Sequence, residues 1–283
     1  MLDRYTQNID DEPGSERFNE GLRMFLTGDL NGSKQAYLKA VEIGNAKAMV
    51  NLGTLYAEKG DEGEKARILD LYSKAAELGD LSGLRNLAYI HAVGIGVPKN
   101  KEKAVKLYRE AAERGHVKAQ CNLAVMLRHG NGTPVDHVEA LKWNLESAEA
   151  GYFRSQATLG VMYLKGEGVD ADPEMAFHWF SEAYKNGSSR GAYNLALMYR
   201  GGTYVDKDMD RAKSLLRFTV DRRYSKGCYE LGTIFESEGN EAEAIELYNI
   251  GASKGERRCI QKLEDRSLPV PEYTGAMKNR KSK

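Results

Sequence analysis

The chain has 283 residues, of which 41% are hydrophobic and 29% are charged, and its 41 basic side chains balance 41 acidic ones. A net charge of zero provides no general attraction for phosphate polymers, so nucleic acid is not expected as the main partner. The length exceeds that of a typical single compact core but is ordinary for an elongated repeat domain.

The N-terminal residues lack the apolar core of a secretory signal, and no later apolar run is long enough to cross a bilayer. The three cysteines, Cys121, Cys228 and Cys259, are too few for a disulfide framework. We therefore expect a cytoplasmic protein that does not insert into membranes.

Two segments precede the regular part of the chain. Residues 1–15 are acidic and contain turn-forming residues, so they are predicted to be disordered. Residues 16–44 are predicted to form a degenerate capping hairpin, because they lack the leucine-glycine signature of the residues that follow.

An internal repeat of about six units occupies residues 45–263. Its marker is a leucine that returns at intervals of 35 or 36 residues in similar local sequence, such as Asn-Leu-Gly or Asn-Leu-Ala. We call these positions the register leucines: Leu52, Leu87, Leu123, Leu159, Leu195 and Leu231. A glycine that closes each unit keeps the same spacing, with Arg223 in place of one of these glycines. Repeats of this length are typical of stacked supersecondary units.

Each repeat is predicted to contain two helices. Helix A carries the register leucine in an apolar stripe, and only Gly, Ala or Ser stands four positions before and one position after that leucine. A glycine-rich turn such as Gly94, Ile95 and Gly96 follows, and helix B then ends at the glycine of the unit. No segment of strand length alternates with a period of two residues, so no strand is predicted.

The predicted fold class is all-α, a superhelical α/α solenoid of stacked antiparallel helix hairpins with one concave face. Stacking is required because the few large side chains that one hairpin buries do not offset the entropy cost of ordering it. Residues 264–283 contain prolines and a basic run, and they are predicted to be a disordered tail.

The motif A-x-x-x-L-G-x-x-Y, followed by G-x-G-V and a final A-A-x-x-G, resembles the Sel-one-like repeat family, whose members are related to the tetratricopeptide proteins. The resemblance covers about residues 21–263. It implies a helical solenoid with an adaptor or regulatory role. One branch of the family is associated with cell-wall or β-lactam chemistry, but its members are cysteine-rich and this chain lacks those cysteines.

No catalytic residue, metal site or cofactor is predicted from the remaining motifs. The five histidines do not stand at metal-ligand spacing with a carboxylate or cysteine on one helix face. The Gly-x-Gly turns lie between helices, whereas a dinucleotide fingerprint follows a strand. The serines lack the strand-turn-helix context of a nucleophile elbow.

If helix A lines the concave face, the residue before each register leucine belongs to a row along the solenoid. We call these residues the ladder positions: Asn51, Asn86, Asn122, Thr158, Asn194 and Glu230. Amides both donate and accept hydrogen bonds, so the four asparagines are predicted to pair with the backbone of an extended partner segment. Alternatively, each asparagine bonds the neighbouring hairpin and only fixes the stacking.

Specificity is expected at positions that differ between repeats. Tyrosine and arginine are favoured interface anchors because they combine a large area with directed polar groups. The predicted anchors are Arg85, Tyr89, Arg128, Tyr193, Arg200 and Tyr229. The alternative is that these side chains are solvated or pack between repeats.

The sequence therefore favours a non-catalytic adaptor or scaffold that binds a protein or peptide in the concave groove, as a monomer by default. One alternative is a regulatory subunit that activates or localises an enzyme. A more remote alternative is a hydrolase of cell-wall or β-lactam substrates.

Overall fold

A computed structural model describes residues 12–60 and 62–274. These residues form fifteen α-helices and one 3-10 turn, and they contain no strand, so the all-α fold class is confirmed. The first eight helices are α1 (Ser15–Leu26), α2 (Leu30–Glu42), α3 (Ala46–Lys59), α4 (Lys65–Glu77), α5 (Leu81–Val93), α6 (Lys101–Glu113), α7 (Val117–His129) and α8 (His137–Glu149). The other seven are α9 (Phe153–Lys165), α10 (Pro173–Lys185), α11 (Ser189–Gly201), α12 (Met209–Asp221), α13 (Ser225–Ser237), α14 (Glu241–Ser253) and α15 (Arg257–Glu264).

The chain divides into two compact units after Ser147, a residue of α8. From α2 onward, the even-numbered helices are helices B and the odd-numbered ones are helices A. In the first unit α3 packs on α4, and α4 packs on α5. The second unit repeats this order with α9, α10 and α11. Successive A helices also contact each other directly, as α3 does with α5 and α9 with α11. Each unit is therefore a stack of helical hairpins.

The register leucines lie in the cores of the units. Leu52, Leu123, Leu159, Leu195 and Leu231 are buried, and Leu87 is half-buried against the core of the first unit. In the first unit this core also contains the B-helix tyrosines Tyr37 and Tyr72, and in the second unit it contains Phe180. The helical period of the apolar residues thus predicted which residues are buried.

The small residues of helix A allow close approach of helix B. A β-carbon added to Gly160 of α9 would lie 2.4 Å from the ring of Phe180 in α10, and one added to Gly53 of α3 would lie 2.7 Å from the ring of Tyr72 in α4. Four positions before the register leucine, a β-carbon on Gly83 would lie 2.6 Å from Ala75 of the preceding helix B. Larger side chains at these positions would force the helices apart.

Capping side chains fix where the A helices begin. The Asn45 side chain accepts a hydrogen bond from the Ala48 amide at 2.8 Å, and Asp80 accepts one from the Gly83 amide at 2.7 Å. His116 fills the same place before α7, where its Nδ1 accepts from the Ala119 amide at 3.1 Å. Such caps satisfy amides that have no partner within the helix.

The turns before and after helix A contain left-handed backbone, which glycine adopts without steric cost. Arg223, which replaces one of the closing glycines, keeps this conformation with a φ of 61°. Tyr204, in the place of the second glycine of the Gly-x-Gly turn, has a φ of 67°. The geometry of the repeat therefore overrides the preference of the individual side chain.

The predicted domain boundaries, including the capping role of residues 16–44 and the solenoid over 45–263, stay predictions. Helices α1 and α2 cover most of the segment 16–44 and contact each other. Of the termini predicted to be disordered, residues 1–11 and 275–283 lie outside the described residues. Near the end of the described chain, Thr274 Oγ1 donates to the Ser253 carbonyl at 2.9 Å.

Replacing Gly160 by Ala is expected to lower the stability of the protein by about 1–3 kcal/mol, because the new methyl group overlaps the Phe180 ring. Gly201 of the same unit is the matched control, since a β-carbon there would lie 3.4 Å from Thr203 Oγ1. Gly201→Ala is expected to be neutral or to stabilise by up to about 1 kcal/mol through helix propensity. Urea denaturation of the full chain measures both changes, and equal midpoints for the two variants would contradict the packing described.

Replacing His116 by Asn is expected to reduce the pH dependence of stability. Burial, followed by the positive charge of Arg85, lowers the pKa of His116 below its ordinary value of 6.5. Protonation therefore favours the unfolded chain, so this stability is complete above the unfolded pKa and is lost as the pH falls through the folded one. An asparagine keeps the cap, as Asn45 does, but does not titrate.

The measurement is the urea midpoint of the wild type and His116→Asn from about pH 7.5 to about pH 5.5. The midpoint of the variant should fall less than that of the wild type. Some slope should remain, because burial also lowers the pKa of His91. Parallel curves would show that His116 contributes nothing to the pH dependence.

Candidate functional site

The asparagines at the ladder positions have different environments. In the first unit, Asn51 Nδ2 donates to the hydroxyl of Tyr37 in the preceding helix B at 3.2 Å. Asn122 lies near enough to the Tyr108 hydroxyl of α6 to affect its pKa. These contacts match the alternative in which the asparagine links neighbouring hairpins. In the second unit, Asn194 Nδ2 donates to the Arg190 carbonyl of its own helix at 2.8 Å.

Asn86 differs because its side chain is completely buried. Its Oδ1 accepts a hydrogen bond from Arg85 Nη1 at 2.8 Å, whereas its Nδ2 has no hydrogen-bond partner among the described residues. A buried donor without an acceptor is costly, by about 1–3 kcal/mol in typical proteins. The side-chain amide of Asn86 therefore does not match the alternative in which the asparagine bonds the neighbouring hairpin.

Four predicted site residues of the first unit come together around Tyr108. We call the group the Arg85 cluster: Arg85, Asn86 and Tyr89 of α5, Tyr108 of α6 and Asn122 of α7. The guanidinium of Arg85 lies 6.0 Å from the centre of the Tyr89 ring. Burial raises the pKa of Tyr108 to about 12, although the positive charge of Arg85 and the amide of Asn122 act in the opposite direction.

The charge of Arg85 is not neutralised within the described part of the chain. The side chain is only 5% exposed, its Nε has no hydrogen-bond partner, and it forms no ion pair with any described residue. Removing an arginine from water without pairing it carries a large desolvation cost. The Arg85 guanidinium instead contacts a neutral amide, that of Asn86, and the ring of Tyr89.

Three other predicted residues come together in the second unit around a buried carboxylate. We call this group the Glu230 cluster: Tyr193 and Arg200 of α11, Tyr229 and Glu230 of α13, and Arg258 of α15. Glu230 is 8% exposed and accepts hydrogen bonds from the Tyr193 hydroxyl at 3.2 Å, Arg200 Nη1 at 2.7 Å and Arg258 Nη1 at 2.8 Å.

The arginines of the Glu230 cluster make further contacts within the second unit. Arg200 also donates to Thr233 Oγ1 at 3.2 Å, and the guanidinium of Arg258 stacks over the Tyr229 ring at 4.2 Å. Burial, and then the negative charge of Glu230, raise the pKa of Tyr193. Tyr193, Arg200 and Tyr229 are thus held by contacts within the unit, as in the packing alternative for these anchors. Arg128, the remaining predicted anchor, is half-buried in α7 and belongs to neither cluster.

Three members of these clusters were not predicted as site residues: Tyr108, Arg258 and Glu230, which was named only as a ladder position. Tyr108 follows Tyr37 and Tyr72 at intervals of 35 and 36 residues, so the repeat contained a signal for it. Arg258 follows the shortened last unit and stands three positions after its closing glycine, Gly255, as Arg154 and Arg190 stand three positions after theirs. Its role becomes visible only in the structure.

A cleft of about 400 Å³ lies in the first unit beside the starts of α3 and α5. Its polar groups are already engaged: Asp80 caps α5 through the Gly83 amide, and Glu12 pairs with Lys47 at 3.2 Å. No three His, Cys, Asp or Glu side chains of residues 12–60 and 62–274 come together as a metal ion would require. None of the helices in those residues has the length and apolar composition needed to cross a bilayer.

The stacked hairpins and the small-residue contacts define an α/α repeat protein of the tetratricopeptide-related class. The Sel1 repeat family matches residues 46–80, 81–116, 117–152, 154–188, 189–218 and 223–256, which is well over half of the chain. The chain belongs to the Sel1 repeat family, and the resemblance drawn from its motifs is confirmed. No curated protein sequence is significantly similar to the chain.

Solved structures have the same fold. A Sel1 repeat protein from Oxalobacter formigenes is 26% identical with a TM-score of 0.74, over 83% of this chain and 96% of that one. The antigen c5321 of uropathogenic Escherichia coli is 24% identical with a TM-score of 0.64, over 91% of this chain and 66% of that one. Yeast Tom70 is 15% identical with a TM-score of 0.55, over 90% of this chain and 53% of that one.

Replacing Glu230 by Gln is expected to destabilise the protein by about 1–3 kcal/mol, because Arg200 and Arg258 lose the negative charge that they share and one of its two acceptor oxygens. The matched control is Glu238→Gln, which removes the same charge from a more exposed pair with Lys213 at 2.9 Å. The control should cost less than about 1 kcal/mol. The urea midpoints of the two variants test this difference. A control that costs as much as Glu230→Gln would mean that Glu230 has no special structural role.

Proposed function

We propose that the chain is a non-catalytic scaffold that binds a protein or peptide partner through the A helices of its first unit. The Sel1 repeat fold commonly mediates protein–protein interaction, which supports this class of function. The ladder asparagines Asn51, Asn86 and Asn122 lie on these helices, as do the members of the Arg85 cluster other than Tyr108. The predicted location of the partner, a concave groove lined by helices A, is part of this proposal.

The observation that carries the proposal is a pair of exposed apolar side chains on neighbouring A helices. Tyr89 of α5 is 39% exposed and Val125 of α7 is 40% exposed. Both stand two positions after a register leucine, so the repeat brings them to equivalent places on successive helices. Apolar groups beside polar donors are the usual composition of a protein interface.

We also propose that this scaffold works in the cytoplasm. Burial raises the pKa of Cys228 to about 11 and that of Cys259 to about 12, so both are kept as neutral thiols. Buried thiols of this kind suit a reducing compartment.

The test compares two double variants of the full chain in partner recovery from the native cell. Tyr89→Ser with Val125→Ser changes the proposed face, and Leu78→Ser with Val138→Ser changes exposed apolar residues outside it. The first pair should reduce recovery of a stoichiometric partner at least about tenfold, equivalent to about 1.4 kcal/mol. The second pair should leave recovery unchanged.

Circular dichroism and urea denaturation establish that both double variants remain folded. Equal recovery by the wild type and by the Tyr89, Val125 variant would contradict binding through these A helices.

A further inference from the structure

We propose that the Arg85 cluster binds the side-chain carboxylate of a glutamate or aspartate in an acidic segment of the protein partner. This inference rests on the scaffold function proposed above and adds the chemistry of the partner. It starts from Arg85, a nearly buried cation that has no carboxylate partner among the described residues.

A second buried donor, on Asn86, also lacks a hydrogen-bond acceptor. Asn86 is completely buried and its Nδ2 lacks an acceptor, while its Oδ1 holds Arg85 Nη1 at 2.8 Å. Two neighbouring residues thus carry unused N–H groups, one of them on a cation. A carboxylate matches such a set, because it is negative and its two oxygens only accept hydrogen bonds.

The Glu230 cluster has a carboxylate at one position that is equivalent to a position of the Arg85 cluster, and a tyrosine at another. Tyr193 stands where Arg85 stands in its own repeat, two positions before the register leucine. The ladder position that follows each of them by 37 residues is Glu230 in the second unit and Asn122 in the first. The second unit therefore supplies a glutamate from its own chain, whereas the first unit has a neutral amide.

This comparison also decides the source of the carboxylate. The group that fills the Glu230 cluster is a glutamate side chain that reaches inward from a helix, not a chain terminus. A side chain on a partner segment has the same reach and the same two oxygens. We therefore assign an acidic side chain to the Arg85 cluster.

The exposed members of the cluster show where the partner approaches. Tyr89 is 39% exposed and its ring lies beside the Arg85 guanidinium, while Asn122 is half-buried. Val125, exposed on the next helix A, offers an apolar contact close to the ladder position of α7. An acidic residue flanked by an apolar one suits this combination.

Binding to the full chain is tested with three acetylated tetrapeptides, two of them amidated. The first is acetyl-Leu-Glu-Glu-Leu-amide, the second is acetyl-Leu-Gln-Gln-Leu-amide, and the third is acetyl-Leu-Gln-Gln-Leu with a free terminal carboxylate. The glutamate peptide should bind at least about tenfold more tightly than either glutamine peptide. Its affinity should fall as the salt concentration rises, because the contact is between charges.

Three variants identify the site. Arg85→Met should reduce the affinity for the glutamate peptide to that for the glutamine peptides, whereas Arg200→Met, in the Glu230 cluster, should leave it unchanged. Asn122→Glu places a carboxylate at the ladder position, as in the second unit. This variant should also abolish binding, and it should raise the urea midpoint, a result that a misfolded protein cannot produce.

Several results would overturn the proposal: equal binding of the first two peptides, binding of the free-terminus peptide as tightly as the glutamate peptide, or a lower urea midpoint for Asn122→Glu. Failure of the peptides together with loss of partner recovery in the Tyr89, Val125 variant would reject only the carboxylate chemistry. Unchanged partner recovery in that variant would reject the scaffold face itself.

Discussion

The contact between helix A and helix B depends on small residues, and in three hairpins on a residue without a β-carbon. Gly53, Gly160 and Gly232 each lie against an aromatic ring of their own hairpin, and an added methyl group would come within 2.4–2.7 Å of that ring. Such contacts fix the rotation of helix A about its axis. The ladder position is two residues earlier, about 200° around the helix, and therefore points away from this helix B. The orientation of the candidate site is thus a consequence of packing.

The same repeat frame supports two different polar groups. In the second unit, Glu230 pairs with Arg200 and Arg258, so the charges that the fold buries are neutralised locally. In the first unit, Arg85 is buried beside amides and tyrosines. The two groups use equivalent positions but differ in side chain: Glu230 stands where the first unit has Asn122, and Tyr193 stands where it has Arg85. Repetition of the backbone makes this comparison possible within one molecule.

The repeat allowed much of the fold to be predicted from the sequence. The register leucines predicted the buried faces, and the closing glycines predicted where each helix B ends. Arg223 shows that the frame holds even where the residue is unsuited to it, since its φ remains positive. Local spacing is sufficient for these features because each hairpin contacts mainly its neighbours.

The candidate site was less predictable, because burial of long polar side chains depends on contacts between repeats. Spacing placed Arg85 and Asn86 on the predicted binding face but did not show that both are buried. It placed Glu230 in the ladder but not at the centre of a network. Arg258 was not predicted as a site residue, since the last unit is shorter than the others.

A high-resolution crystal structure of the free protein is the most direct test of the central claim, that the first unit buries a cation which its own chain does not neutralise. The account predicts that the Arg85 guanidinium lies beside Asn86 and Tyr89 with no carboxylate of the chain within ion-pair distance, about 4 Å. An aspartate or glutamate of the same chain paired with Arg85 would contradict it.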